Sequence, residues 1–220
     1  IEKIATECRI GAEVMKLITS GPHDVIGSLF NLLTIKGKES EASYKSGLTA
    51  LSALQQDPST KASLVKAMVE KEERIEALIE LLAEAKKGYS ERILSLLSTL
   101  CLGSHRGRAF VRAHALSVSV VVRSLLVMSD VANEFAVTIL WCLICSPQNS
   151  HTTHRSDPDF ETTITPARVA SHLSASRKLL VVAQMDCTTL TKQRIRDLLK
   201  ELERVKCPGE SFPNTSQRLF

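Results

Sequence analysis

The hexapeptide Val121-Val122-Arg123-Ser124-Leu125-Leu126 has three relatives elsewhere in this chain. They are residues 28–33 (Ser-Leu-Phe-Asn-Leu-Leu), 77–82 (Ala-Leu-Ile-Glu-Leu-Leu) and 176–182 (Ser-Arg-Lys-Leu-Leu-Val-Val). In each, apolar residues recur at the spacing of an amphipathic helix, and a short polar break follows. The repetition indicates four copies of one helical building block.

A matching set of apolar triplets follows the four segments. The triplets are Leu48, Leu51 and Leu54; Leu94, Leu97 and Leu100; Val137, Leu140 and Leu143; and, more loosely, Ile195, Leu198 and Leu202. The 44 residues from Leu81 to Leu125 fall in the period range of armadillo and HEAT arrays. We therefore predict an all-α fold, a right-handed armadillo/HEAT-like α-solenoid of about four to five repeats whose units stack to bury a shared core.

The repeat pattern also predicts the domain organisation. The armadillo-repeat domain is predicted over residues 1–206. Leu125 and Val181 are 56 residues apart, and the excess over one period is assigned to the polar residues 146–166. We predict a surface-loop insertion there, with an inducible docking segment as the alternative. Residues 207–220 have no periodicity and are predicted to form a flexible C-terminal tail.

Two turn residues predict helix boundaries. Pro58 is placed to begin a helix, because proline is favoured in the first turn. Gly103 is expected to end the preceding helix in a left-handed conformation, which glycine adopts without steric cost.

The composition excludes several classes of protein. The 220 residues are 44% hydrophobic and 24% charged, which is the balance of a folded chain. Aromatic residues make up 4% and the net charge is +4, too little for the stacking platforms and phosphate contacts of nucleic-acid binders. The longest near-continuous apolar run, residues 135–145, is about half of a membrane-spanning helix. We expect neither a nucleic-acid partner nor a membrane span.

The cysteine content indicates a cellular compartment, and the first residues indicate how this chain relates to the complete protein. Six cysteines are spread thinly, without the density of a secreted disulfide framework, which favours a reducing compartment. We expect a cytoplasmic protein, with the nucleus and the periphery of the plasma membrane as further locations. The chain opens on Ile1 without a basic-then-apolar leader, so we expect it to be part of a longer protein.

One constellation has the residue types of a metal site. Cys142 and Cys145 are followed by His151 and His154, all within thirteen positions. A zinc site and a thiol-exchange motif are the alternatives, but both cysteines belong to a run that matches a helix, which favours core packing. The chain also lacks a phosphate-binding glycine loop and a strained nucleophile turn. We expect no catalytic residue, no metal and no cofactor.

For two charged segments, partner binding is an alternative to a purely structural role. The acidic residues around Glu72 and Glu73 suit the positive end of a helix dipole, with an ionic partner patch as the alternative. Four arginines with only Asp130 opposing them could attract an acidic peptide or a phosphate. They are Arg106, Arg108, Arg112 and Arg123.

Part of the chain resembles the C-terminal armadillo repeats of plant U-box ubiquitin ligases. The resemblance is carried by Gly107-Arg108-Ala109, His114-Ala115, residues 120–137 and Trp141-Cys142-Leu143, and again by the last unit from Lys178 to Leu199. It implies a complete protein that carries a U-box, which would recruit a ubiquitin-conjugating enzyme without metal ions. The U-box itself is not in this chain. The armadillo repeats would hold the substrate or a receptor-kinase-type partner.

The resemblance also implies a binding surface. In armadillo arrays the third helix of each unit lines a concave groove, so we expect the residue before each apolar pair, and the residue four positions on, to face the partner. Those residues are Asn31, Ile35, Glu80, Glu84, Ser124, Met128, Leu180 and Gln184. Their mixture of acidic and apolar groups suits a protein segment with basic and hydrophobic side chains better than a nucleic acid.

The expected function is therefore recognition. We predict a non-catalytic protein-interaction domain of a U-box ubiquitin-protein ligase that presents substrate for ubiquitination. The alternative is an armadillo scaffold or cargo adaptor without ligase activity. The sequence encoded ahead of Ile1 would discriminate between the two.

Overall fold

The computed structural model describes residues 25–34, 40–84, 87–145 and 165–205. Within these ranges the chain forms eleven α-helices and no strand. In chain order they are α1 (Val25–Thr34), α2 (Ser40–Gln56), α3 (Pro58–Glu70), α4 (Glu72–Glu84), α5 (Lys87–Gly103), α6 (His105–Ala113), α7 (Ser117–Ser124), α8 (Asp130–Ile144), α9 (Pro166–His172), α10 (Ala175–Gln184) and α11 (Thr189–Val205).

The helices fall into repeating units of three. The complete units among the described residues are α3–α5, α6–α8 and α9–α11, and α1–α2 supply the last two helices of the unit before them. The third helices α2, α5, α8 and α11 pack against one another in series. The first helix of each later unit also contacts the second helix of the unit before it. The predicted all-α solenoid is confirmed.

The core lies where the apolar triplets predict it. All twelve residues of the four triplets are at most 1% exposed, including the loosely matched Ile195, Leu198 and Leu202. They project from the third helices, whose burial against neighbouring units contributes to the hydrophobic stabilisation of the array. The pairing of these triplets by repeat spacing is confirmed.

The two predicted helix boundaries have different outcomes. Asp57 caps α3, its side chain accepting a hydrogen bond from the Ser59 amide, and Pro58 opens the helix as predicted. Gly103 is the last residue of α5, but its φ angle is outside the left-handed region, so that prediction is wrong. Ser104 ends the helix instead, since its backbone is extended (φ −141°) and its Oγ accepts from the Gly107 amide at 3.1 Å.

Gly107 allows a close helix approach. A Cβ atom at this position would lie 2.4 Å from Cδ1 of the fully buried Leu100. Real side chains do not pack at that distance, so a larger residue here would force Leu100 or α6 to shift.

Several predictions fall on residues outside the described ranges. They are the C-terminal tail, most of the 146–166 insertion, Ile35, His151 and His154. Helix α8 ends at Ile144 and α9 begins at Pro166, so the assigned excess lies between these two helices. In the described part of the chain, no helix combines the length and the apolar character that crossing a membrane requires.

Candidate functional site

The predicted partner-facing residues lie on the second helices, not on the third. Asn31 is on α1, Glu80 and Glu84 are on α4, and Leu180 and Gln184 are on α10. The placement on the third helices is therefore wrong, because the apolar pairs used to align the repeats belong to the helix before the polar break. All five side chains are exposed. Their role in partner binding stays a prediction.

Ser124 and Met128 do not share a surface stripe. Ser124 is 6% exposed, and its Oγ donates to the Val121 carbonyl at 2.8 Å. Helix α7 ends at this serine, Leu125 is extended and Leu126 has a φ of 68°. A spacing of four residues places two side chains on one face only within a helix, so the rule fails here. Met128 is half-buried in the turn that follows.

The third helices instead form a layer of side chains that bond across units. From α2, the Gln55 amide donates to Oγ of Ser95 and to Oγ1 of Thr99 on α5, both at 2.7 Å. Arg92 of α5 donates in return to Oγ1 of Thr49 on α2. The partners are 40 to 44 residues apart, about one repeat. These bonds align the two helices along their length.

The same layer continues between α8 and α11. Trp141 Nε1 donates to Asp197 Oδ2 at 3.2 Å, and Arg194 donates to Thr138 Oγ1 at 2.7 Å. The Arg194 guanidinium also lies 5.5 Å from the centre of the Trp141 indole, within cation–π range. Trp141 and Asp197 are half-buried, so one side of this cluster reaches the surface.

These third-helix residues were missed by the sequence reasoning, although a signal was present. Both bonded pairs between α8 and α11 are 56 residues apart, the same spacing that relates Leu125 to Val181. Trp141 is also the single tryptophan of the chain. A search for polar residues at the repeat spacing would therefore have found the pairs.

Carboxylates mark the start of two third helices. Glu91 of α5 accepts a hydrogen bond from Oγ of Ser129, the residue that caps α8. Glu134 of α8 accepts from the Thr188 amide, just before α11, at 2.7 Å. A negative charge near a helix N-terminus is favourable, because the helix dipole is positive there. Each carboxylate thus stabilises the next third helix.

Three of the four arginines considered for anion binding donate hydrogen bonds within the fold. Arg108 donates to the Cys101 carbonyl at 3.0 Å, Arg112 to the Cys142 carbonyl at 3.3 Å, and Arg123 to the Ala83 carbonyl. Each acceptor is in the last turn of a helix, where carbonyls lack intrahelical partners. Burial also lowers the pKa of Arg112, more than the nearby Arg108 does. These three arginines therefore cap helices, and attraction of an anion by the group of four stays a prediction.

The cysteines have the surroundings of structural thiols. Cys142 is 1% exposed within α8, which confirms the predicted core packing, whereas Cys145 caps the end of α8 and packs half-buried against the core. Burial raises the pKa of Cys101 and of Cys142, and it raises the pKa of Cys145 to about 12. Thiols with such pKa values remain protonated near neutral pH and are poor nucleophiles. Among the described residues, no three His, Cys, Asp or Glu side chains are grouped to hold a metal ion.

Comparisons with known proteins agree with this architecture. The sequence model of the plant U-box protein armadillo-repeat region matches residues 4–215. U-box domain-containing protein 29 of Arabidopsis thaliana is 29% identical over 204 residues, which are 91% of this chain and 41% of that protein. U-box domain-containing protein 20 of the same plant is 25% identical over 127 residues, which are 58% of this chain and 25% of that protein. The chain therefore spans less than half the length of these relatives.

Among solved structures, a designed armadillo repeat protein has a similar fold. It superposes with a TM-score of 0.56, at 15% sequence identity, over 87% of this chain and 69% of the designed one. At that identity the similarity concerns the fold alone.

Proposed function

The chain belongs to the armadillo-repeat region of plant U-box proteins, and from that premise we propose that it recognises the substrate of a ubiquitin-protein ligase. The family match over residues 4–215 is the observation that carries the proposal. In this function the array binds a target protein, or a receptor-kinase-type partner. A U-box elsewhere in the polypeptide recruits the ubiquitin-conjugating enzyme.

The physical features of the array support a binding role. An extended stack of helices offers a long surface, and its exposed side chains vary in character from unit to unit while the buried triplets are aliphatic throughout. The third-helix layer with Trp141 and the exposed second-helix residues Glu80 and Glu84 are the surfaces that we propose for contact. A half-buried tryptophan is a common anchor in protein interfaces.

Ubiquitin transfer with the full-length protein tests the proposal. We expect the intact protein to modify both itself and its substrate in a reconstituted reaction. Deletion of the array should abolish transfer to the substrate and leave self-modification intact. An excess of the isolated array should also inhibit substrate transfer by competition. A full-length sequence without a U-box would favour the scaffold alternative. Substrate transfer that survives the deletion would contradict substrate recognition by the array.

A charge exchange tests the second-helix residues. Replacing Glu80 and Glu84 by lysine should weaken partner capture without unfolding the array, because both side chains are exposed. Circular dichroism controls for folding. Unchanged capture would remove these two residues from the proposed contact surface.

A further inference from the structure

The last of the second helices, α10, carries apolar side chains on its exposed side. Arg177, Leu180, Val181 and Gln184 are three or four positions apart, so they share one face of the helix, and all four are exposed. We call these four residues the open face. Of the described second helices, α10 alone has large exposed apolar residues, Leu180 at 37% and Val181 at 46%. Covering them would be favourable, because it would remove apolar surface from water.

The corresponding positions of earlier units are buried or polar. The 56-residue spacing relates Val181 to Leu125, which is fully buried. On α4 the counterpart of Leu180 is Glu80, which is exposed but charged. The open face therefore combines the apolar character of a covered surface with the exposure of an uncovered one.

The position of α10 in the array accounts for this combination. At the earlier interfaces, the first helix of the later unit packs against the second helix of the unit before it: α3 against α1, α6 against α4 and α9 against α7. Among the described residues no helix follows α11, so α10 has no such neighbour there. The terminal unit of a repeat array needs a cover for its apolar outer surface.

The chain itself supplies a segment at the point where a first helix would follow. Helices α3 and α6 begin two residues after the preceding third helices end, at Pro58 after Gln56 and at His105 after Gly103. Fifteen residues, 206–220, follow α11 and lie outside the described ranges. Their number exceeds the 13, 9 and 7 residues of the first helices α3, α6 and α9.

This segment is long enough to reach α10. Phe212 is seven residues beyond Val205, the last residue of α11, and seven extended residues span up to about 24 Å. Helix α11 has 17 residues and is therefore about 25 Å long. Because α10 packs against α11, Phe212 can reach α10 from the end of α11.

The residues around Phe212 have chemistry that matches the open face. Alternate residues of an extended chain point to the same side, so Glu210 and Phe212 can face α10 together. The Phe212 ring would pack on Leu180 and Val181, and the Glu210 carboxylate would be attracted to the Arg177 guanidinium.

We propose that residues 206–220 cover the open face, with Phe212 against Leu180 and Val181. A contact made by one aromatic anchor requires no helical periodicity, which this segment lacks. The inference concerns the end of the array and does not rest on the proposed function. It gives Leu180, which the sequence predicts to face a partner, a contact within its own chain.

Hydrogen exchange of the 220-residue chain, measured by mass spectrometry, tests this inference. Phe212→Ser should raise the exchange rates of the α10 amides by about fivefold, because the helix loses an apolar cover. Amides in the middle of α2 and α5 should exchange as in the native chain. Unchanged exchange in α10, or an equal increase throughout the array, would overturn the inference.

Matched variants identify the contact. Phe220→Ser removes the same ring from the same segment and should leave exchange in α10 unchanged. In a chain that already carries Leu180→Ser and Val181→Ser, adding Phe212→Ser should change the α10 rates less than twofold, because the contact is already lost. A full fivefold effect in that background, or an effect of Phe220→Ser as large as that of Phe212→Ser, would overturn the assigned contact.

Size-exclusion chromatography with light scattering distinguishes the segment from a second copy of the chain. We expect the native chain to be a monomer at the concentration of the exchange experiment, since the cover comes from the same molecule. A native dimer that Leu180→Glu converts to a monomer would place a second copy on the open face and overturn the proposal.

Discussion

Leu126 occupies a backbone conformation that a leucine rarely adopts. Its φ is 68°, and its side chain is 38% exposed. The amide of Leu126 donates to Oδ1 of the buried Asn133 at 2.9 Å, so the turn is held from α8. The left-handed region costs a residue with a Cβ atom about 1 to 2 kcal/mol. The surrounding contacts therefore impose the conformation on this residue.

Substitution at Leu126 measures that cost. We expect Leu126→Gly to be more stable than Leu126→Ala by about 1 kcal/mol, because only glycine relieves the strain and neither variant retains the side chain. Urea unfolding at equilibrium gives both values. Equal stability of the two variants, or a more stable alanine variant, would contradict a strained turn.

The thiols that pack against the core, including the half-buried Cys145, make the free energy of unfolding depend on alkaline pH. The pKa of Cys145 is raised to about 12, chiefly by burial, with Glu201 and Asp197 adding to the effect. In the unfolded chain the thiol loses its proton at lower pH, so the unfolded state binds fewer protons as the pH rises. The stabilisation by the protonated thiol is complete below the unfolded pKa and is lost between that pKa and about 12.

We therefore expect the free energy of unfolding to fall as the pH rises above about 9. The decline should be shallower in Cys145→Ala than in the native chain, since that variant lacks one of the titrating thiols. Urea unfolding at a series of alkaline pH values measures both slopes. Identical slopes would show that Cys145 titrates alike in both states.

At the scale of the helix, contacts between α8 and α11 join two units. The Trp141 indole lies between Asp197, which accepts its N–H, and Arg194, which stacks on its ring. Both partners come from α11, so the energy of these contacts measures how strongly α11 packs against α8.

A double-mutant cycle with Trp141→Phe and Asp197→Ala measures the hydrogen bond, because alanine has no side-chain atom that could accept the indole N–H. We expect a coupling energy of about 0.5 to 1.5 kcal/mol, because the bond is half-buried and its acceptor is charged. The Arg196→Gln and Trp141→Phe pair serves as the control. If the two substitutions of the first pair lower the free energy of unfolding by strictly additive amounts, the hydrogen bond contributes nothing to the packing of α8 against α11.

The helices themselves were predictable from the sequence, but their roles were not. The spacing of Leu94, Leu97 and Leu100 identifies a buried helix face, because burial selects apolar residues at helical period. Whether a helix is the second or third of its unit depends on what stacks against it. Local periodicity is the same in both cases, so Glu80 was assigned to the wrong layer. Ser124 was misplaced because helix α7 ends at that residue, and its apolar pattern does not reveal the end.

At the scale of the whole molecule, each unit depends on its neighbours. Helices α5 and α8 have a third helix packed on both sides, whereas α11 has one such neighbour among the described residues. In repeat arrays the interfaces between units supply much of the stability, so helices at an end open more readily than internal ones.

Hydrogen exchange should reveal this gradient. We expect amides in the middle of α5 and α8 to exchange more slowly than those in the middle of α11, measured by mass spectrometry on the native chain. Comparison at equal intrinsic exchange rates controls for sequence. Uniform protection along the chain would indicate a single cooperative unit instead of a series of coupled ones.

The capping contacts between second helices are asymmetric, so they define a direction along the array. Arg123 of α7 bonds the last turn of α4, and Lys178 of α10 bonds the Val122 carbonyl in the last turn of α7 at 2.8 Å. At both interfaces between units, the later unit supplies the donor and the earlier unit supplies the acceptor. The two faces of a unit therefore differ chemically and are not interchangeable. A variant in which two units exchange places would keep its helices but lose these donor–acceptor pairs at the new interfaces. The contact residues of each unit therefore help to specify the order of the repeats.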